Sequence, residues 1–249
     1  MTHSPQSFSV EEDPFYLEDL RQMERAENYR RWQFEMVARF LSGHVLEVGG
    51  GIGNFTPQLA QAAQSVTSIE PNEYCFNQLR EKVKFLQNVD VHRTTVESLD
   101  GVMSPGRRFD TIVLMNVLEH IQDDRAILAK LKQRLTADGR LVVLVPAVPW
   151  AFGSTDKRLG HYRRYSQSYS RNLFASLEMK IEFMRYYNFI GIWAWLWNNR
   201  FSRRRNQSNA QIHMFDKYFV PVISCFEKNL RPPVGQSLLI VGRQRKSSG

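Results

Sequence analysis

The strongest constraint on this chain is a regular alternation over its first 146 residues. Short apolar runs rich in β-branched residues stand at 44–48, 66–70, 89–93, 109–115 and 140–145, and the segments 55–63, 74–85 and 125–135 between them carry helical spacing. Strands that read as continuous apolar runs are covered on both faces, so the pattern predicts a parallel sheet with right-handed crossovers. Ligands of such sheets bind beyond the carboxyl ends of the strands. Two later runs, 180–187 and 237–242, predict two more strands; roughly fifty residues separate them, far more than a usual connection, so helices are expected in between. Ahead of the sheet, residues 12–41 have helical spacing, with Trp32, Met36, Val37, Phe40 and Leu41 on one apolar stripe that stops at Ser42 and Gly43. Residues 1–12, 202–209 and 245–249 read as flexible.

Composition narrows the class. With 43% hydrophobic and 23% charged residues the chain is globular, neither disordered nor fibrous. Its two cysteines, Cys75 and Cys225, lie far apart without ligand spacing, which argues against a disulfide framework and a structural zinc and for a reducing compartment. No apolar run follows a basic start, so a cytoplasmic protein is expected. The net charge of +8 is unevenly spread: residues 1–150 hold 16 Lys and Arg against 20 Asp and Glu, and residues 151–249 hold 17 against 5. A basic half beside an acidic half points to an anionic partner, which could be a phosphorylated or carboxylated small molecule, a membrane surface or nucleic acid.

Where the first strand gives way to its helix, the chain reads Glu47-Val48-Gly49-Gly50-Gly51-Ile52-Gly53-Asn54. Glycines there permit a tight turn and close approach of a ligand to the backbone, beside a helix N-terminus with free N–H groups. A dinucleotide fingerprint needs G-x-G-x-x-G, but the sixth position is Asn54 counting from Gly49 and Thr56 counting from Gly51. What stands there is E-x-G-x-G-x-G. With that motif the chain resembles the class I S-adenosylmethionine-dependent methyltransferases, in which it wraps the methionine end of the cofactor while an acidic residue ending the second strand holds both ribose hydroxyls. The matching carboxylate is Glu70 in SIEPN, and a carboxylate can accept two hydrogen bonds from a vicinal diol. The resemblance implies an α/β, Rossmann-like, seven-stranded and mostly parallel sheet with helices on both faces, an N-terminal helical lid and helical substrate-domain insertions. It also implies S-adenosyl-L-methionine as cofactor and S-adenosyl-L-homocysteine as product, with Glu47, Gly49, Gly50, Gly51, Asn54, Glu70 and Pro71 among the binding residues.

The match covers about residues 27–146, from YRRW at 29–32 through HRTTVESLD after the third strand to FDTIVLMNVLEHIQDD at the fourth. In the family the third-strand segment contacts adenine; Val96 and Glu97 match, while the usual Asp falls on Thr95. Asn116 and Val117 match the turn that passes beneath the cofactor, and Glu119 and His120 follow, with His120 implied beside the transferred methyl. A metal at this turn takes a carboxylate where Asn116 stands, so the resemblance implies no metal.

Nothing in that core says what is methylated. The segment VPAVPWAFGSTDKRLGHYRRYS at 145–166 ends its strand at prolines and then alternates aromatic with basic residues. Aromatics bind apolar or ring surfaces and arginines bind carboxylate or phosphate, so Trp150, Phe152, Tyr162 and Arg163 are expected to contact the acceptor. His161, of a type that titrates near neutral pH, is expected as general base. The stretch also resembles one in an uncharacterised bacterial methyltransferase group often met near sugar- or lipid-linked glycan enzymes. Residues 189–197, FIGIWAWLW, fall short of the roughly 20 residues a bilayer needs and read as a buried helix. Beside Arg200 and Arg203–Arg205 the same run could serve as an interfacial anchor or the mouth for a greasy substrate.

The sequence therefore predicts a lid at 1–43, a cofactor core at 44–146, and substrate-binding insertions with the last two strands at 147–249. The expected activity is methylation, on oxygen first and on nitrogen or carbon as alternatives, of a small or lipid-linked, anionic acceptor, with peripheral membrane contact through the basic, Trp-rich half. A nucleic-acid methyltransferase and a membrane-associated non-catalytic binding protein are the rivals. Residues 115–118 read MNVL rather than an N/D-P-P-[YF] tetrapeptide, which counts against nucleic acid.

Overall fold

The computed structural model describes residues 14–201 and 213–244; the three segments expected to be flexible lie outside the described residues. Two helices lead in, α1 (Pro14–Arg25) and α2 (Glu27–Ala38), followed by β1 (His44–Val48), α3 (Thr56–Ala62), β2 (Ser65–Ile69), α4 (Glu73–Val83) and β3 (Val89–His92). The chain continues through β4 (Phe109–Met115), α5 (Asp124–Lys132), β5 (Leu135–Pro146), α6 (Ser154–Arg158), α7 (Gln167–Ser176) and β6 (Met179–Tyr187). Last come α8 (Phe189–Phe201), α9 (Val220–Asn229), which a π-helical turn at Phe215–Phe219 precedes, and β7 (Ser237–Gln244).

The seven strands form one sheet in the order β3-β2-β1-β4-β5-β7-β6. Strands β1 to β5 pair in parallel, and both pairings of β7 are antiparallel. The expected Rossmann-like sheet is present. Strand order reverses between β1 and β4, which opens the crevice where ligands of such sheets bind. Register then places the site: Val48 lies opposite Ile69 on one side and Leu114 on the other, so Gly49 and Glu70 leave their strands level with Met115, and Asn116 follows one residue beyond.

Side chains alternate to two cores. Leu46, Ile112, Leu114, Leu141 and Val143 pack with Leu128 and Leu131 of α5 and Phe174 of α7 on one face. Val45, Val113, Val142 and Leu144 pack on the other with Leu59 of α3, Ile223 of α9, and Trp32, Met36 and Val37 of the lead-in stripe. Two boundaries differ from the sequence reading. The helix expected over 125–135 ends at Lys132, and β5 begins at Leu135, because Leu135 pairs with Phe109 ahead of a register shift. Nor is α8 buried all round: Ile192 is fully enclosed while Ile190 and Trp193 face outward. Among the described residues no helix is long and apolar enough to cross a membrane.

Two helices borrow their caps from far along the chain. The position before α2 is Ala26, which has no side-chain acceptor. Instead the Asp216 carboxylate accepts from the N–H groups of Asn28 at 3.1 Å and Tyr29 at 2.8 Å. Likewise Glu227 accepts from Asn188 at 2.8 Å and Phe189 at 2.7 Å at the start of α8. Helix N-termini leave N–H groups that need such acceptors.

Candidate active site

The turn after β1 holds Gly49, Gly51 and Gly53 at φ of +73°, +55° and +79°, conformations in which a side chain is strained. Space is as restrictive. A Cβ on Gly49 would stand 2.6 Å from a methyl of Val117, and one on Gly50 would stand 2.4 Å from the Ser68 hydroxyl. The backbone therefore wedges between the β4 turn and β2. Across from it Asn116 adopts φ +55°, in the left-handed region that asparagine tolerates better than most.

The two carboxylates beside the turn do different work. Glu70, 3% exposed, accepts from the N–H of Gly51 at 2.8 Å and of Asn72 at 2.9 Å, which braces the turn while its carboxylate borders the cavity. Burial pushes its pKa up against the pull of those two bonds. Glu47 does not line the cavity. One of its oxygens accepts from Thr56 Oγ1 at 2.7 Å and Ser68 Oγ at 2.6 Å, so the carboxylate ties β1, β2 and the start of α3 together behind the glycines. Burial raises its pKa too, with the two hydroxyls opposing.

One cavity of about 450 Å³ brings most of the expected residues together. Gly49, Gly50, Gly51, Asn54, Glu70 and Pro71 line one end, Thr95, Val96 and Glu97 one side, and Asn116, Val117, His120 and His161 the rest of the predicted set. The sequence reading missed the wall supplied by α1 and α2, namely Tyr16, Asp19, Leu20, Met23, Tyr29 and Gln33. It also missed Glu119 as a lining residue, together with Arg164, Trp195, Gln236 and Ser237. No local pattern marks these positions; only the packing of distant segments does. Asn54 donates through Nδ2 to the Leu20 carbonyl at 3.0 Å, and its Oδ1 is buried without a partner, as is Gln33 Oε1. Such orphaned acceptors call for ligand donors. A bound molecule with an ammonium group and ribose hydroxyls fits the end where Asn54 and Glu70 meet the glycine turn.

Of the aromatic and basic segment after β5, the expected His161 lines the cavity, but the expected acceptor contacts do not. Trp150 is 61% exposed and Tyr162 41% exposed, and neither they nor Phe152 and Arg163 line the cavity. Arg163 is spent on Asp124, at 2.8 Å, and on the Gln122 carbonyl, at 2.6 Å. The reason is a bridge between Ala147 and Tyr165 that folds the segment back along the end of β5. Tyr165 thereby enters the core, its hydroxyl donating to the Leu118 carbonyl at 3.1 Å, and its neighbour Arg164 faces the cavity. Val148, next to the bridge, is held at φ +67°, a rare conformation for a β-branched residue.

Asp156 anchors this corner. Fully buried, it accepts from Gly153 N at 2.8 Å, His161 Nδ1 at 2.9 Å and Arg164 Nε at 2.8 Å. Burial opposes its ionisation, but the His161 bond, the Arg164 charge and the Gly153 N–H together hold its carboxyl below the usual range. The Arg164 guanidinium also lies 4.4 Å over the Trp195 ring, which gives the cavity a cationic and aromatic corner. The rings of His161 and His120 meet edge to face at 4.7 Å. Burial, then the neighbouring His161, press the His120 pKa down to about 3, so its imidazole is neutral. Burial pushes Glu119 up to about 7, with His161 opposing, and its Oε2 has no hydrogen-bond partner.

Known proteins resemble this chain in sequence and in fold. A family model described as a methyltransferase domain matches residues 20–204. The demethylmenaquinone methyltransferase of Tropheryma whipplei (strain Twist) is 28% identical over 138 residues, which cover 55% of each chain. The matches span 55% or less of the length of the curated relatives. Among solved structures, a SAM dependent methyltransferase from Archaeoglobus fulgidus superposes with a TM-score of 0.61 at 13% identity, over 93% of this chain and all of that one. The N-methyltransferase NodS of Bradyrhizobium japonicum WM9, in complex with S-adenosyl-L-homocysteine, gives 0.53 at 16% identity over 97% and 93% of the two chains.

Proposed function

The chain belongs to the S-adenosylmethionine-dependent methyltransferase family, and from that premise we propose that it methylates a hydroxyl of a small or lipid-linked acceptor that carries negative charge. The observation that carries this reading is the single cavity in which the glycine turn and Glu70 share walls with His161, Arg164 and Trp195. Its size, about 450 Å³, falls in the range of small-molecule sites.

S-adenosylmethionine supplies an electrophilic methyl carbon on a positively charged sulfur, so placement of the acceptor carries much of the rate. Glu70, Asn54 and Pro71 bind the ribose and methionine end, with Val96 and Glu97 along the adenine. Asn116 and Val117 support the cofactor from below. Arg164 and the Trp195 face receive the acceptor's charged and apolar parts. His161, His120 and Glu119 stand together at the acceptor side of the cavity, facing the hydroxyl that reacts. In this division of labour, residues 1–43 act as a lid, 44–146 as the cofactor core and 147–249 as the acceptor domain. Apolar side chains left exposed on α8 and α9, among them Ile190, Trp193, Val222 and Phe226, support a lipid-linked acceptor.

The test is to incubate the purified protein with methyl-labelled S-adenosylmethionine and an extract of its source cell, then partition the label. Label in the lipid or small-molecule fraction is expected. Label in nucleic acid would overturn the acceptor class and leave the family standing. His161→Ala is expected to lower turnover while cofactor affinity, measured by calorimetry, stays at the wild-type value.

A further inference from the structure

We propose that Glu119, His120 and His161 hold a divalent first-row transition-metal cation, of the zinc or manganese type, at the acceptor side of the cavity. Among the described residues they are the one group of three candidate ligands, and their donor atoms lie within 4.8 Å of one another. Metal–ligand bonds of about 2.0–2.2 Å close that spread with small side-chain rotations.

The outer contacts argue for it further. His161 Nδ1 is taken by Asp156, itself fixed by Gly153 N and Arg164 Nε, so Nε2 is the nitrogen left to coordinate. The Leu159 carbonyl lies beside the His120 ring and acts on one of its nitrogens. A carboxylate or carbonyl behind each imidazole is the arrangement that orients histidine ligands. The third donor, Glu119, is 1% exposed, and its Oε2 has no hydrogen-bond partner. A buried carboxylate oxygen in that state calls for a cation or a donor. Two imidazoles and one carboxylate suit zinc, manganese or iron(II), and three protein ligands leave coordination positions open toward the cavity. This departs from the absence of metal expected from Asn116, because His161, which lies 41 residues beyond His120, completes the set.

The inference rests on the methyl-transfer reading and deepens it by assigning what activates the acceptor's hydroxyl. A cation here withdraws charge from that hydroxyl, whose proton leaves to water. The oxygen then bonds to the methyl carbon as the carbon–sulfur bond breaks with its electron pair kept on sulfur.

The test strips the full-length chain with a chelator and titrates it with cobalt(II) alone, followed by visible absorption and calorimetry. Expected are one ion per chain, absorption bands of a nitrogen-ligated ion, and binding at least about tenfold weaker in Glu119→Gln and His161→Ala. X-ray absorption on the wild-type complex should count two imidazoles, a readout that stands even where a variant fails to fold. No stoichiometric binding, fewer than two imidazoles, or folded variants that bind as tightly as wild type would each overturn the site. Calorimetry with S-adenosylmethionine on the same samples separates the two readings: cofactor binding without cobalt binding removes the metal alone, whereas cobalt binding without cofactor binding removes the methyl-transfer reading and keeps the metal site.

Discussion

The two carboxylates beside the glycine turn, Glu47 and Glu70, are expected to respond to truncation in different ways. Glu70 borders the cavity and still has lone pairs for a ligand's hydroxyls. Glu70→Ala should therefore weaken S-adenosylmethionine binding by about 1.5–3 kcal/mol, the scale of a hydrogen bond to a charged group. Unchanged affinity in a calorimetric titration would remove Glu70 from the ribose. One oxygen of Glu47 accepts from Thr56 and Ser68, whose buried hydroxyls would lose that acceptor. Glu47→Ala should lower folding stability by about 1–3 kcal/mol in a denaturant titration. If Glu47→Ala unfolds at the wild-type midpoint, its place behind the turn is unimportant. Glu47 stands two before a glycine and Glu70 just after a strand, and the sequence reading put both on the cofactor. It could locate the glycine turn and Glu70 because those depend on residues next to one another. It could not tell which side of the turn a carboxylate faces, since that is decided by hydroxyls nine and 21 residues away.

Among elements, the connection from β5 to α7 carries the most unexpected geometry. The sequence displayed its aromatic and basic alternation openly, yet which members point inward depends on the Ala147 and Tyr165 bridge, a pairing across 18 residues that no periodicity signals. Pairing Tyr165 to the strand end buries it and exposes Tyr162, so the expected His161 reaches the cavity with Arg164 beside it, while Arg163 and Tyr162, also expected there, stay outside. Tyr165→Phe tests that account. Its hydroxyl bonds to the Leu118 carbonyl and to Asp124, both at 3.1 Å, and Asp124 keeps Tyr169 and Arg163 without it. The cost should sit near the ordinary value for one hydrogen bond, about 0.5–1.5 kcal/mol, read from urea unfolding. The ring stays in the core, so His161 and Arg164 keep their places and cofactor affinity should not change. A loss above about 3 kcal/mol would mean that the hydroxyl holds the whole connection.

For the molecule as a whole, the cavity is closed by segments from opposite ends of the chain. Tyr29 and Gln33 line it from α2, and Gln236 and Ser237 line it at the start of β7. The Tyr29 hydroxyl is buried beside Ser237 and Asn188, so the two ends of the chain meet at the cavity wall. What holds α2 there is Asp216, 5% exposed, which caps two amides of a helix whose own cap position is an alanine. A carboxylate at a helix N-terminus gains both the hydrogen bonds and the favourable dipole, so Asp216→Ala should cost about 1–2 kcal/mol. More telling than the total is where the loss appears. The amides of Asn28 and Tyr29 should exchange with solvent faster while those of β1 and β4 hold, because the sheet core keeps its packing. Cofactor affinity, which we attribute to the glycine turn and Glu70, should stay near wild type, and the Michaelis constant for the acceptor should rise as Tyr29 and Gln33 lose their fixed position. Exchange that speeds up equally across α2 and the central strands would show instead that the lead-in helices and the sheet unfold as one unit, with Asp216 a global stabiliser and not the latch of the acceptor wall.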